Sequence, residues 1–263
     1  MPADLSAILA DLHAEGDDLD ALVAGIPARS WAAPTPAEGW SIAYQIAHLA
    51  WTDAQALLAA ADPGAFAARL KEFAAIGPGF VDQAAAEGAA LPPAALLAHW
   101  RESRTRLAAA LAAYPGDGKL PWFGPPMRPA SMASARLMET WAHGQDVADA
   151  LGVRREPTAR LRPIVHIGVR TFGFSFAIRG LPSPAGELRV ELRAPDGSLW
   201  EQGPPDAADR VTGSAEDFCL LVTRRRHPAD LGLTVTGEDA GRWAGIAQAF
   251  AGAPGPERPA RTG

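Results

Sequence analysis

The stretch Arg136-Leu137-Met138-Glu139-Thr140-Trp141-Ala142-His143-Gly144-Gln145-Asp146 decides how this chain is read. Its pattern is helical. Glu139 and His143 are four residues apart, so they stand one above the other on a single face. Arg136 and Asp146 extend that stripe by a turn in each direction, so four ionisable side chains share it. Leu137, Trp141, Ala148 and Leu151 form the apolar stripe on the other side, the expected core face. A carboxylate and an imidazole at this spacing can grip one metal ion from a single turn of helix. A solvated polar face, or a simple Glu–His pair, fits the same residues. A further ligand from elsewhere in the chain is what would separate these readings.

Such a ligand stands about ninety residues upstream, in Gly39-Trp40-Ser41-Ile42-Ala43-Tyr44-Gln45-Ile46-Ala47-His48-Leu49-Ala50-Trp51. Ser41 is a natural N-cap for the helix that follows. Ile42, Ile46, Leu49 and Asp53 run down one face; Tyr44, His48, Trp51 and Gln55 run down another. His48 sits among apolar neighbours, and a buried imidazole needs a partner. A carbonyl or a tyrosine would serve. Taken with Glu139 and His143, His48 is a candidate third metal ligand.

Two more long helices are expected, over 4–25 and 92–113, beside that of His48 and that of 131–151. A shorter apolar pattern over 64–76 breaks at Gly77-Pro78-Gly79, and Trp122-Phe123 lie in a Pro-rich loop. Four amphipathic helices with short or Pro-marked connections read as a four-helix bundle, a fold that builds metal sites from facing helices. The pattern changes after Gly152. A polar linker (154–157) leads to a helix from Leu161 to about Gly180. Then come an alternating strand over 187–194, an Asp196-Gly197 hairpin turn and a return strand from Ser198. A short strand at Arg210–Gly213, a helix capped by Ser214, a strand at Leu233–Gly237 and a helix over Arg242–Phe250 complete the chain. The expected organisation is mainly α with α+β: a bundle over 1–152, a smaller α+β domain over 153–251, and a disordered tail over 252–263.

Composition narrows the function classes. The chain has 263 residues, 48% hydrophobic and 21% charged, which is globular. A net charge of −6 argues against nucleic-acid binding; the one dense basic run is Arg224-Arg225-Arg226. No apolar run is long enough for a membrane span, and the N-terminus lacks the pattern of a signal peptide. A single cysteine, Cys219, excludes an internal disulfide framework and fits a reducing cytoplasm; a small buried apolar role suits it. A monomer and a homodimer both fit the sequence.

The order of these motifs resembles the DinB-like bundle superfamily. More narrowly, Trp40-Ser41…His48-Leu49 and Arg136-Leu137-Met138-Glu139…His143-Gly144-Gln145-Asp146 resemble the mycothiol-dependent maleylpyruvate isomerase family. Within it, they resemble an actinobacterial branch of metal-binding proteins of unassigned function. The resemblance implies a DinB-like four-helix bundle in which His48, Glu139 and His143 ligate a divalent metal, most often zinc. It also implies mycothiol as co-substrate. Thr212-Gly213-Ser214…Leu221-Val222-Thr223-Arg224-Arg225 is similar to a C-terminal pattern of the family that usually ends Leu-Thr-Gly-Arg. Carried over, the role of holding an acidic substrate falls on Arg225, while Arg224 stands where the family has glycine.

Two histidines and one glutamate leave at least one metal position open, the pattern of a catalytic rather than a structural zinc. Asp146 either orients a ligand or a bound water from the outer shell, or is a helix-surface carboxylate. An open zinc lowers the pKa of bound water or deprotonates a bound thiol. A thiolate that adds to an activated double bond, lets it rotate and leaves again isomerises it; addition alone makes an S-conjugate. The expectation is therefore a metal-dependent thiol S-transferase or isomerase, acting on a small electrophile with a low-molecular-weight thiol as partner. A metallohydrolase on the same site and a non-catalytic, metal-stabilised binding module are the alternatives.

Overall fold

The computed structural model describes residues 4–77, 79–115, 118–252 and 258–260. They divide into two compact units, Met1–Arg155 and Glu156–Gly263.

The first unit is helical. Its four long helices are α1 (Leu5–Val23), α2 (Ile42–Ala61), α5 (Pro93–Ala112) and α6 (Pro129–Leu151), with the shorter α3 (Pro63–Ile76) and α4 (Phe80–Ala89) inserted between α2 and α5. Local chemistry sets their ends. Asp4 caps α1 by accepting from the Ser6 N–H at 3.0 Å, and Ser41 caps α2 by accepting from the Tyr44 N–H at 3.4 Å. Gly152, with φ of 67°, ends α6 in a left-handed turn, where the Val153 N–H returns to the Ala148 carbonyl at 2.9 Å. Leu19, Val23, Ile42, Ile46, Leu49, Leu96, Trp100 and Val147 form one core layer of the bundle. Ile8, Ala56, Leu107, Leu111, Leu120 and Met132 form a second.

Helix α4 was not expected from the sequence. Its run is short and rich in alanine, and tertiary contact accompanies it: a Cβ on Gly88 would lie 2.8 Å from the Ala47 Cβ, so the α4 backbone rests directly on the Ala47 methyl of α2 there. The first unit also extends past Gly152. Arg155 donates to the Trp141 carbonyl at 3.0 Å and pairs with the buried Glu15, which ties the segment after α6 back onto the bundle.

The second unit carries a four-stranded sheet in the order β2-β1-β3-β4, with β1 at Leu188–Arg193, β2 at Leu199–Gln202, β3 at Asp209–Ser214 and β4 at Thr234–Thr236. β1 pairs antiparallel with β2 and parallel with β3. Strict alternation of burial along β1 fails at Arg189, which is buried because its guanidinium is taken up by Glu191, Glu201 and the Gly203 carbonyl. The helix expected over 161–180 is two, α7 (Leu161–Arg170) and α8 (Phe172–Ala177), divided at Thr171, whose hydroxyl bonds back to the Ile167 carbonyl at 2.9 Å. Helix α9 spans Ala215–Val222.

The last helix is α10, at Glu238–Ala244 rather than 242–250. Beyond it the backbone bonds outward: the Gln248 N–H donates to Ser175 Oγ and the Ala249 N–H to the Val222 carbonyl. The tail expected to be disordered falls largely outside the described residues. Helices α7 and α9 meet at Gly168, where a Cβ would lie 2.8 Å from Phe218 and 2.9 Å from Val222, both fully buried. Gly168→Ala is therefore expected to lose stability by about 1–3 kcal/mol of overpacking, against a helix-propensity gain of about 1 kcal/mol. A urea melt would show this as a lower midpoint at unchanged slope; a raised midpoint would mean that the two helices separate freely.

Candidate metal centre

His48 lies on the second turn of α2, and Glu139 and His143 lie on one face of α6. The bundle brings the three side chains together. His48 Nε2 is 3.4 Å from Glu139 Oε2, and His143 Nε2 is 3.2 Å from the same oxygen. One donor atom from each residue falls within 4.8 Å of the others, and the imidazole centroids are 4.6 Å apart. The side chains keep 11%, 21% and 12% exposure for His48, Glu139 and His143, so the cluster opens to solvent instead of being sealed in the core.

The segment just before α2 supplies one wall. The Thr35 N–H donates to the Trp40 carbonyl at 2.9 Å and the Ile42 N–H to the Ala33 carbonyl at 3.1 Å, which closes 33–42 into a tight loop. The Trp40 ring then stacks on His143 at 5.9 Å between centroids and meets His48 at 5.3 Å.

The donor set fits a small divalent cation. Zinc takes nitrogen and carboxylate oxygen at about 2.0–2.2 Å, and at tetrahedral angles two such ligands stand about 3.4 Å apart. The 3.4 and 3.2 Å contacts match that edge. Both exceed the ~2.7–2.9 Å of a good charge-assisted hydrogen bond. Burial alone would raise the Glu139 carboxyl. The hydrogen bonds and charges of His143 and His48 outweigh it and hold the group well below its ordinary value, so Glu139 faces the two rings as a carboxylate.

Asp146 and Arg225 are the other two candidates. Asp146 is completely buried on α6 and is not a surface carboxylate. Arg225 belongs to the second unit, just after α9, where it donates to the Thr223 carbonyl at 2.6 Å. Arg136, on the same stripe as Glu139, is also buried and pairs with Asp53 at 2.8 Å, so the stripe is not a solvated face.

Two residues of the site were not singled out from the sequence. Trp40 entered only as part of a motif. Gln45 is fully buried, and its Oε1 lies 2.5 Å from His143 Nδ1. Its signal was available: it is three residues before His48, an amide in a half-helix that also carries Ile42, Ala43, Ile46, Ala47, Leu49 and Ala50.

A family model described as the mycothiol maleylpyruvate isomerase N-terminal domain matches residues 12–148, more than half of the chain and the whole of the three-residue cluster. The chain belongs to the mycothiol maleylpyruvate isomerase family. The fold agrees. The crystal structure of the mycothiol-dependent maleylpyruvate isomerase superposes with a TM-score of 0.60 at 18% identity, covering 89% of this chain and 93% of that one. A histidine-to-alanine variant of that enzyme gives 0.62 at 17% identity, with the same coverage. An uncharacterized protein of Mycobacterium tuberculosis, present in two strains, is 60% identical over 96% of this chain and 98% of its own length. A second model, described as wyosine base formation, matches residues 184–236 of the second unit. No helix among the described residues is long and apolar enough to cross a membrane.

Proposed function

We propose that the protein is a metal-dependent S-transferase or isomerase that uses a low-molecular-weight thiol, mycothiol by family, on a small electrophilic substrate. The observation that carries this reading is the convergence of His48, Glu139 and His143, with both Glu139–histidine contacts at the edge length of a tetrahedral site and at least one position left for a reactant. Zinc suits the donor set, and when bound it would hold a thiol as its thiolate at neutral pH.

The chain's own residues supply the rest. The two imidazoles and the Glu139 carboxylate would hold the cation between α2 and α6. The Trp40 ring walls the cluster on one side and keeps water from that face. Cys219 cannot be the nucleophile: burial pushes its thiol well above the ordinary value and the charge of Glu216 adds to this, so the reacting thiol comes from a co-substrate. Asp146, three residues beyond His143 and buried, is assigned to orienting a metal ligand or a bound water. Arg225 is assigned, on its likeness to the family pattern, to holding an acidic group of the substrate. A reducing cytoplasm is the compartment such a thiol requires.

The test is thiol-dependent consumption of a panel of small electrophiles. Zinc-loaded protein is expected to exceed metal-free protein by at least about 100-fold, the scale of one well-placed catalytic effect. Equal rates would remove the proposal. Turnover of an activated ester without any thiol would transfer the site to the hydrolase reading.

A further inference from the structure

We infer that Gln45 is a positioning residue that presets His143 as a metal ligand, through a relay running Trp40–Thr35–Gln45–His143. This deepens the metal-centre reading and rests on it.

The relay starts at a backbone carbonyl, which can only accept. The Thr35 hydroxyl donates to the Trp40 carbonyl at 2.8 Å. With its proton committed there, Thr35 Oγ1 has only lone pairs to offer, and it accepts from Gln45 Nε2 at 2.8 Å. That fixes which end of the Gln45 amide points which way. Gln45 Oε1 is therefore the atom turned toward His143 Nδ1, at 2.5 Å, and an amide oxygen can only accept. Nδ1 must carry a proton, so Nε2, the atom 3.2 Å from Glu139 Oε2, is the nitrogen that donates to that carboxylate without a cation and that is turned to ligate one once its own proton is released. Every group in the chain of bonds is held: Gln45 is fully buried, Thr35 is 9% exposed, and the same Trp40 carbonyl also takes the Thr35 N–H.

His48 has no such partner. Its Nδ1 is buried without a hydrogen-bond acceptor among the described residues, and its ring is positioned by packing against Trp40. The two histidines are thus unequal: His143 is anchored through Nδ1, with Nε2 turned to the cluster, before any cation arrives, and His48 has no such anchor. The loop 33–42 performs two tasks from one hairpin, since Trp40 walls the site with its ring and anchors the relay with its carbonyl.

Outer partners of ligating histidines are worth about 10–100-fold in metal affinity. The experiment is a zinc-affinity measurement by chelator competition on wild type, Gln45→Met, Gln45→Glu and Thr35→Val. The melting temperature of each metal-free protein is taken alongside. Gln45→Met keeps the bulk and loses the acceptor, and its Kd should rise about 10–100-fold. Gln45→Glu keeps an acceptor against Nδ1–H and should stay within about threefold of wild type, or bind more tightly, as carboxylate partners of ligating histidines do. Thr35→Val frees the Gln45 amide to turn over and present its N–H₂, and should weaken binding by an intermediate factor.

A residue that merely packs would give two glutamine variants with similar losses in melting temperature and no ordered change in affinity. If wild type binds zinc and Gln45→Met matches it within about twofold, or Gln45→Glu loses as much as Gln45→Met, the role of Gln45 falls while the metal site stands. If wild type takes up no zinc, the metal reading fails first and this one with it.

Discussion

Purified wild-type protein is expected to retain about one zinc per chain after gel filtration, and the His48→Ala variant to retain almost none. Three protein ligands are already the minimum of an open site, and His48 is the only one contributed by α2. Removing it leaves Glu139 and His143, a pair from one helical turn that cannot enclose a cation. The loss should exceed the ~10–100-fold attached to an outer partner such as Gln45. Elemental analysis of both proteins, with and without reloading, reads this directly. Zinc lost in the variant would establish a site spanning two helices and would justify the electrophile panel. If neither protein holds metal after reloading, the contacts of Glu139 with the two histidines are ordinary polar pairs, and the binding-module reading leads.

The second large effect is structural. Asp53→Ala should destabilise the first unit by about 3–5 kcal/mol, the cost of leaving a buried charge without its partner. The Asp53 and Arg136 side chains are 3% and 2% exposed and bond at 2.8 Å. Burial holds the Asp53 carboxyl above its ordinary value although Arg136 opposes this by charge and hydrogen bond, so each group is tolerable only beside the other. For a unit of this size the loss corresponds to a melting temperature lower by about 6–20 °C. Measured on metal-free protein, the effect is separate from zinc binding. The double variant Asp53→Leu/Arg136→Met should recover most of the loss, because an apolar pair of similar volume removes the desolvation cost of both charges. A loss below about 1 kcal/mol for Asp53→Ala would mean that Arg136 reaches solvent or another carboxylate.

Surface pairs make the contrast. Arg101 and Arg104 reach across to Asp20 and Asp17 of α1, but Arg101 is about half exposed. Such a contact contributes about 0–1 kcal/mol and fastens α5 to α1 without deciding the fold.

The bundle was legible because amphipathic helices declare themselves. Leu5 to Val23, Ile42 to Leu49 and Leu96 to Leu111 repeat at helical spacing, and Ser41 and Gly152 punctuate the ends with side-chain and backbone chemistry that acts within a few residues. The ligand set was legible for a related reason. Glu139 and His143 are local neighbours on one turn, and His48 is an ionisable residue in an apolar stretch that had to be explained.

What the sequence determined alone is what depends on near neighbours: helix existence, caps, the Asp196-Gly197 turn and the Glu139–His143 stripe. What only the tertiary structure decided depends on contacts between distant segments. Helix α4 exists because glycine and alanine let it touch α2, and α10 stops short because Gln248 and Ala249 find partners on other elements. Arg136 is an internal ion rather than a surface one because Asp53 stands opposite it across the bundle. Gln45 joins the metal centre because a hairpin carries Thr35 to one end of its amide while α6 carries His143 to the other. Hydrogen-bond direction passes through that amide only when both ends are in place, and no periodicity along the chain encodes it.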